Sequence, residues 1–528
     1  MGERRRSLNE PSRFLLTAVA AAPVSAVVGL VVAPAVNLVL AAVDGSALSE
    51  VLGARRTWEV VWFTFWQAVV STVLTVLIGV WPALVVARSS FRGRSIFVGA
   101  LTAVFVLPTV VLAAGVGVLL PSGVDRGVFA IVVAHVIFNL AVVVRTVAAS
   151  PVPVGVEEAA RTLGASRPQV ALRVTLPLLA PALWAASAVV FLFSFTSFGV
   201  VRVLGDLSSS TIEVEVWRRA IRLGDLGGAA VLSVVQVVLL GAVLVWTSAR
   251  QRSQRSRSAV PLAPIRRRRS LAPVLVVSVL VAAPVVALVW GSFRSGGEFS
   301  LAGWRAFGSD EIRPGLRLGL DPLGALSASL VSAVVATVLA VVLGGLAVAV
   351  ISVTGRSGSV LDAGLALPLG VSAVTVGLGL LITFDSGVFD WRASWWMVPL
   401  GHAVVAVPFV VRPALAAVRA VPGDLRSAAA ALGASPVRAW WVTVGAALRR
   451  PLAAGAGLAA AVSLGEFGAT SLLSRSGSET LPVVIERMLA RTGGSFRAQG
   501  HALAVVLAAV TILVVMLVDR WRDDPVRR

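Results

Sequence analysis

Apolar stretches long enough to cross a membrane recur along almost the whole chain, and this feature excludes most folds open to 528 residues. The first runs from Phe14 to Val43 without an ionisable side chain, whereas a crossing needs only ~20 apolar residues for a hydrocarbon layer about 30 Å thick. Its length, and the similar segments behind it, argue against a cleaved secretion signal, whose apolar part covers roughly 7–15 residues. Charged residues are 14% of the sequence and hydrophobic residues 57%, while a water-facing domain carries roughly 25% charge. The deficit implies a lipid-facing exterior.

Twelve spans are expected, near 14–42, 60–87, 95–120, 127–147, 182–204, 229–247, 271–290, 325–351, 360–384, 395–412, 452–474 and 500–518. Backbone groups in lipid must find partners within the segment, so continuous runs of this length predict helices. A membrane barrel would show short alternating segments instead. The expected fold class is an all-α polytopic membrane protein.

The net charge of +20 resembles that of a nucleic-acid binder, but its placement points to lipid. Arg4, Arg5, Arg6 and Arg13 precede the first span; Arg88, Arg92 and Arg94 follow the second; Arg250, Arg252, Arg255, Arg257 and Arg266 to Arg269 follow the sixth; Arg520, Arg522, Arg527 and Arg528 follow the last. An even number of spans separates these clusters, so all lie on one face, which the positive-inside rule makes cytoplasmic. Both termini are therefore expected in the cytoplasm of a bacterial inner-membrane protein, with the arginines against anionic lipid heads and no nucleic-acid partner. The chain has no cysteine, hence no disulfide or thiolate chemistry.

The polar, Arg/Ser-rich stretch 248–270, with Pro261 and Pro264, reads as a linker between domains at 1–247 and 271–528. Matching landmarks support a duplication. Leu163-Gly164-Ala165-Ser166 is answered by Leu432-Gly433-Ala434-Ser435 at an offset of 269, which also relates Phe198-Gly199 to Phe467-Gly468 and Thr211-Ile212 to Thr480-Leu481. His135 and Arg145 are spaced as His402 and Arg412 are. Six spans return the chain to its starting side, so two parallel six-helix repeats are expected.

Between spans four and five, on the cytoplasmic face, Glu157-Glu158-Ala159-Ala160 favours helix, Gly164 supplies a turn, and Pro168 suits the first turn of a second helix. This stretch resembles the permease subunits of binding-protein-dependent ABC importers. Their signature is Glu-Ala-Ala, three residues, Gly, nine residues, then Ile-x-Leu-Pro; here stand Glu158-Ala159-Ala160, Gly164 and Val174-Thr175-Leu176-Pro177. The resemblance implies a type I importer fold and a transport subunit rather than an enzyme. It also implies a loop that enters a groove on a cytoplasmic ATPase, with Glu158 supporting the loop, Gly164 forming its turn, and Ala165, Ser166, Arg167 and Gln169 at the contact. In the second loop Ser427-Ala428-Ala429 replaces Glu-Ala-Ala and Thr443-Val444-Gly445-Ala446 replaces the Leu-Pro end, while Gly433, Ala434 and Ser435 keep the turn. Unequal docking at the two sites is the expectation.

The same resemblance implies two cytoplasmic ATPase subunits, which consume the ATP, and an external solute-binding protein; no cofactor is expected on this chain. Because the chain has no lysine, it cannot carry a Gly-x4-Gly-Lys nucleotide loop. Phe193 to Val200 and Thr211 to Val216 look like the thiamine-type permeases, which leaves thiamine or another organic cation, ferric iron, or another solute as cargo. The alternative class is an ion-coupled secondary transporter built from repeats.

Polar groups inside spans usually face protein or a water-filled path. His135 and Asn139 share one helix face, His402 has a comparable place, and Ser197 and Glu466 are counterparts that differ in charge. These five are candidate path residues, with interhelical hydrogen bonding the plainer role for the histidines. Three separated histidines and no cysteine give no compact metal-ligand set. Trp58, Trp62 and Trp66, and Trp391, Trp395 and Trp396, read as interface anchors, with a cation cage as the sharper alternative.

Overall fold

The computed structural model describes residues 21–522 apart from 44, 90, 151–153, 207, 255–270, 309–310, 314–315, 318–320, 355, 386–390, 392–393, 476 and 492. The start of the expected first span and most of the expected linker lie outside these residues. Among them, nine helices are long and apolar enough to cross a membrane: Ala21–Val43, Arg55–Arg88, Val128–Ala148, Arg167–Phe195, Leu226–Thr247, Ala272–Ser292, Pro322–Val353, Met397–Arg419 and Gly494–Leu517. Arg94–Val106 and Thr109–Leu119 are bent by 105° and make a tenth only if taken as one crossing.

The expected count of twelve is therefore not reached, and each difference has a local cause. The expected span 95–120 breaks at Leu107-Pro108, where proline takes a backbone donor from the helix and pushes its predecessor out of helical geometry. The expected span 360–384 is divided in the same way: Arg356–Ala366 passes through a 3-10 turn containing Pro368 into Ala373–Thr383. That last piece, 11 residues long, reaches about 16 Å at 1.5 Å per residue, roughly half the hydrocarbon layer. In place of 452–474 a helix runs unbroken over 436–465, carrying Arg438, Arg449 and Arg450, and the chain turns at Glu466-Phe467. The expected span 182–204 likewise starts earlier, at Arg167, and ends at Phe195 ahead of the short helix Gly199–Leu204. The helix Leu226–Gln254 continues into the stretch expected to be linker.

The helices pack with their small residues inward. Along Pro322–Val353 the buried positions include Ala325, Ser329, Ser332, Ala336, Ala340 and Gly344, while Val334, Val338 and Val342 point outward. Lipid offers apolar side chains as good a solvent as the protein interior does, so helices associate through small residues that let backbones approach.

The first helix of each half lies on the other half. Asn37 donates to Thr383 Oγ1 at 3.2 Å, and Gly379 leaves room for the Pro34 carbonyl. In the second half a Cβ on Gly115 would strike the Pro284 carbonyl, and one on Gly291 would meet Val118. Each contact thus sets a helical proline against a glycine. The only strands among the described residues are two small antiparallel hairpins, Arg294–Ser295 with Glu298–Phe299 and Glu311–Arg313 with Leu316–Arg317, between the Ala272–Ser292 and Pro322–Val353 helices.

Candidate functional site

Two loops related by the sequence offset have the same backbone. Helix Val154–Thr162 ends with Gly164 at φ +86°, and helix Gly423–Ala431 with Gly433 at φ +82°. At the first, Gly164 N–H donates to Arg161 and Ala165 N–H to Ala160; at the second, Gly433 N–H donates to Ala430 and Ala434 N–H to Ala429, all at 2.9–3.0 Å. This is a left-handed helix stop, and it accounts for glycine at both turns. A Cβ at either glycine would meet nothing within 4 Å, so the backbone conformation alone sets the requirement. The turns present Leu163 and Leu432 at 88% and 89% exposure, large apolar side chains held away from the protein.

Each turn runs into a second helix whose N-terminus is capped. Ser166 and Gln169 form a capping box, with Ser166 N–H donating to Gln169 Oε1 at 2.8 Å. Ser435 Oγ accepts from Arg438 N–H, and no carboxamide reaches back because arginine occupies that position. Ala159, Ser166, Arg167, Gln169, Gly433 and Ser435 are exposed, with Ala165 and Ala434 half-buried.

The buried carboxylate at the base of the first loop is Glu157, whereas Glu158, the residue in register with the signature, is exposed. Arg88, in the last turn of the Arg55–Arg88 helix, grips Glu157 through both oxygens at 2.6 and 2.9 Å, and Thr175 donates to it from the following helix. The sequence carries two adjacent glutamates, and the helix phase that brings one against Arg88 turns the other to solvent. The second loop lacks this anchor. At the corresponding positions stand Arg426 and the buried Val444, and the tie is instead Trp440 Nε1 donating to Ser352 Oγ at 3.0 Å.

Farther into the bundle the halves meet at counterparts. The rings of Phe198 and Phe467 lie 4.9 Å apart between centroids. Ser197 and Glu466 flank them and are buried, with Glu466 Oε1 accepting the Ala469 N–H at 2.9 Å. The helices that follow are seated alike: Ile212 N–H donates to Thr64 at 3.0 Å, and Leu481 N–H to Ser329 at 2.8 Å. Arg202 crosses between halves to Glu486 at 3.0 Å, with Trp217 stacked 4.2 Å beneath its guanidinium.

The histidines lie elsewhere. His402 uses both ring nitrogens, one with Ser463 at 2.8 Å and one with Thr470 at 2.7 Å. His135 pairs with Ser71 at 3.3 Å and accepts on its backbone carbonyl from Asn139, between the Arg55–Arg88 and Val128–Ala148 helices. Trp391 stacks on Phe384 at 4.6 Å and meets Trp396 edge-on at 4.3 Å, so that cluster is packed aromatic structure. Trp58 and Trp62 are exposed on the outer face. Among the described residues no three His, Asp or Glu side chains are grouped to hold a metal ion. Sequence reasoning missed Glu213 as a candidate site residue; it is wholly buried and bonded to Gln236, and a carboxylate between Ile212 and Val214 in a short polar-apolar alternation gave little signal.

Residues 75–256 match the family described as the binding-protein-dependent transport system inner membrane component. That stretch holds the first loop and the helices on either side of it, and the family it resembles is one of transport proteins rather than enzymes. A 155-residue segment is 34% identical to a protein of Salmonella typhimurium described as a 2-aminoethylphosphonate transport system permease; the segment is 29% of this chain and 57% of that protein's length. Over 499 residues, 88% of this chain and 87% of the relative, it is 26% identical to a thiamine transport system permease protein of Brucella abortus. The chain is a distant relative of both kinds of permease.

Proposed function

We propose that the chain is a membrane-spanning subunit of an ATP-driven importer that supplies both halves of the path on one polypeptide, with both termini cytoplasmic. The observation that carries this reading is the pair of glycine-stopped loops, each thrusting an exposed leucine outward, at Gly164 and Gly433. Each loop docks on a separate ATPase subunit, and ATP is consumed there. Closure of the ATPases moves the loops, and the helices that continue from them, 167–195 and 436–465, carry the movement to Phe198 and Phe467. In this reading the Phe–Phe contact is the closed gate of the path. An external binding protein delivers the solute when the contact opens, and ligand and nucleotide bias the alternation between the two states.

The cargo is a small solute bearing a cationic nitrogen, with thiamine foremost. Support comes from the relative aligned over most of both chains, named for thiamine, and from the other named for an aminophosphonate. Neither relative supports the ferric-iron expectation. The test is co-purification of the tagged chain with an ATPase subunit. The expected result is a stable complex, weakened when Leu163 and Leu432 are both changed to Asp; retention unaffected by both changes contradicts docking at these loops.

A further inference from the structure

Six glutamates are buried among the described residues: Glu157, Glu213, Glu215, Glu466, Glu479 and Glu486. Four have an arginine: Glu157 has Arg88, Glu215 has Arg218 and Arg219, Glu479 has Arg487, and Glu486 has Arg202. Glu213 and Glu466 have no basic side chain within ion-pair distance among the described residues, although cationic side chains are plentiful in this chain. Glu466 accepts the Ala469 N–H and Glu213 the Gln236 amide; a buried carboxylate is costly unless its charge is balanced, and one inside a membrane protein without a cationic partner points to function.

These two carboxylates come from opposite halves and lie on segments that pack against one helix, Ala373–Thr383. Glu213, 0% exposed, lies on the short helix Ile212–Trp217, which packs against Ala373–Thr383 of the second half. Gly468, two residues beyond Glu466, sits on Ala373 and Val374, which brings both acids to the same edge of that helix. The neighbouring oxygens are acceptors awaiting a donor: Glu213 Oε2 and Gln236 Oε1 are buried without hydrogen-bond partners, and Gln236 is held in place by its amide nitrogen on Glu213. Phe467, next in sequence to Glu466, meets Phe198 at 4.9 Å between ring centroids, so an aromatic pair adjoins Glu466 where the halves meet.

We propose that Glu213 and Glu466, with Gln236, form an acidic subsite on the path that receives the cationic nitrogen of the transported solute. The missing arginine is then the cargo's place. Each half supplies one carboxylate, so opening the contact between halves separates them and releases the cation. The rings of Phe198 and Phe467 favour an organic cation, which they can face, over a small hydrated metal ion. The inference deepens the importer reading and rests on it.

The test uses the full chain with its ATPase and external binding protein, comparing wild type with E213Q/E466Q. Uptake of thiamine or 2-aminoethylphosphonate into proteoliposomes is expected to fall about tenfold or more, the scale of losing one close charge pair, while ATPase binding and ATP hydrolysis stay near wild type. The E213D variant, which keeps the charge, retains most uptake. A double variant that transports like wild type overturns the subsite and leaves the importer reading intact; failure of the wild-type chain to bind any ATPase overturns the reading itself. A second measurement is independent of cargo: tetramethylammonium chloride raises the Tm of the wild-type protein in nanodiscs, and raises that of E213Q/E466Q less. Equal shifts in the two proteins, or a shift matched by sodium chloride, overturn the assignment to an organic cation.

Discussion

Arg88 and Glu157 lock the first glycine-stopped loop to the end of a membrane helix, with their closest atoms 2.6 Å apart and both side chains at most 10% exposed. Residues 69 positions apart are thereby made one rigid corner, and Thr175 extends it into the helix that runs to Phe195. Breaking one partner of a buried pair costs ~3–5 kcal/mol, since the other charge stays behind, whereas replacing both by apolar groups is nearly neutral. Arg88→Met is therefore expected to lower Tm and weaken ATPase binding, and the R88M/E157M double variant to recover most of the Tm. Thermal unfolding in nanodiscs measures this, and a double variant as unstable as the single one contradicts the pairing.

The glycine stops give a second prediction. At φ +86° and +82° a non-glycine residue pays roughly 1–2 kcal/mol in backbone energy, and open space at both sites removes any steric component. Gly164→Ala is expected to weaken ATPase binding about five- to thirtyfold, with Gly164→Asn milder because asparagine tolerates the left-handed region. The two loops are anchored differently, so Gly433→Ala is expected to change binding by a different factor. Indistinguishable losses at the two turns, measured by ATPase titration, count against unequal docking.

A third prediction uses the absence of native cysteine. Cysteines placed at 198 and 467, whose rings now meet at 4.9 Å between centroids, are expected to be bridged by a short thiol-to-thiol reagent with a reducible link. The locked protein keeps its ATPase but loses uptake, and reduction restores it. Full uptake by the cross-linked protein shows that this contact is not the closed gate.

The two histidines separate by their bonding. His402→Leu strands Ser463, at ~1–3 kcal/mol for an unsatisfied buried group, and takes from Thr470 one of its two partners, leaving the Glu466 carbonyl. His135→Leu gives up a single longer contact with Ser71. A clearly larger fall in Tm for His402→Leu is expected; equal falls contradict a structural role special to His402.

Much of this architecture was legible in the sequence, because apolar length and offset-matched landmarks are local properties. The loops, their glycine turns and the Phe198–Phe467 pair all follow from one offset. The crossing count was less legible: Pro108 and Pro368 break their helices, and Arg449 and Arg450 thin the apolar signal in a helix that continues nonetheless. The site residues were legible where chemistry follows chain order and obscure where it depends on facing. Glu157 and Glu158 differ only in helix phase, and Glu213 gains its meaning from the Ala373–Thr383 helix of the other half, against which its own short helix packs. Exchange of the first helices, Pro34 onto Gly379 and Pro284 onto Gly115, leaves no mark in spacing.

The central claim is that ATP hydrolysis on partner subunits drives solute through this chain. Uptake into proteoliposomes containing the chain, its ATPase and the external binding protein tests it most directly. The account predicts uptake that requires ATP, survives collapse of ion gradients, and disappears when Leu163 and Leu432 are both changed to Asp. Uptake that proceeds without ATPase and follows a sodium or proton gradient would contradict it and favour an ion-coupled transporter.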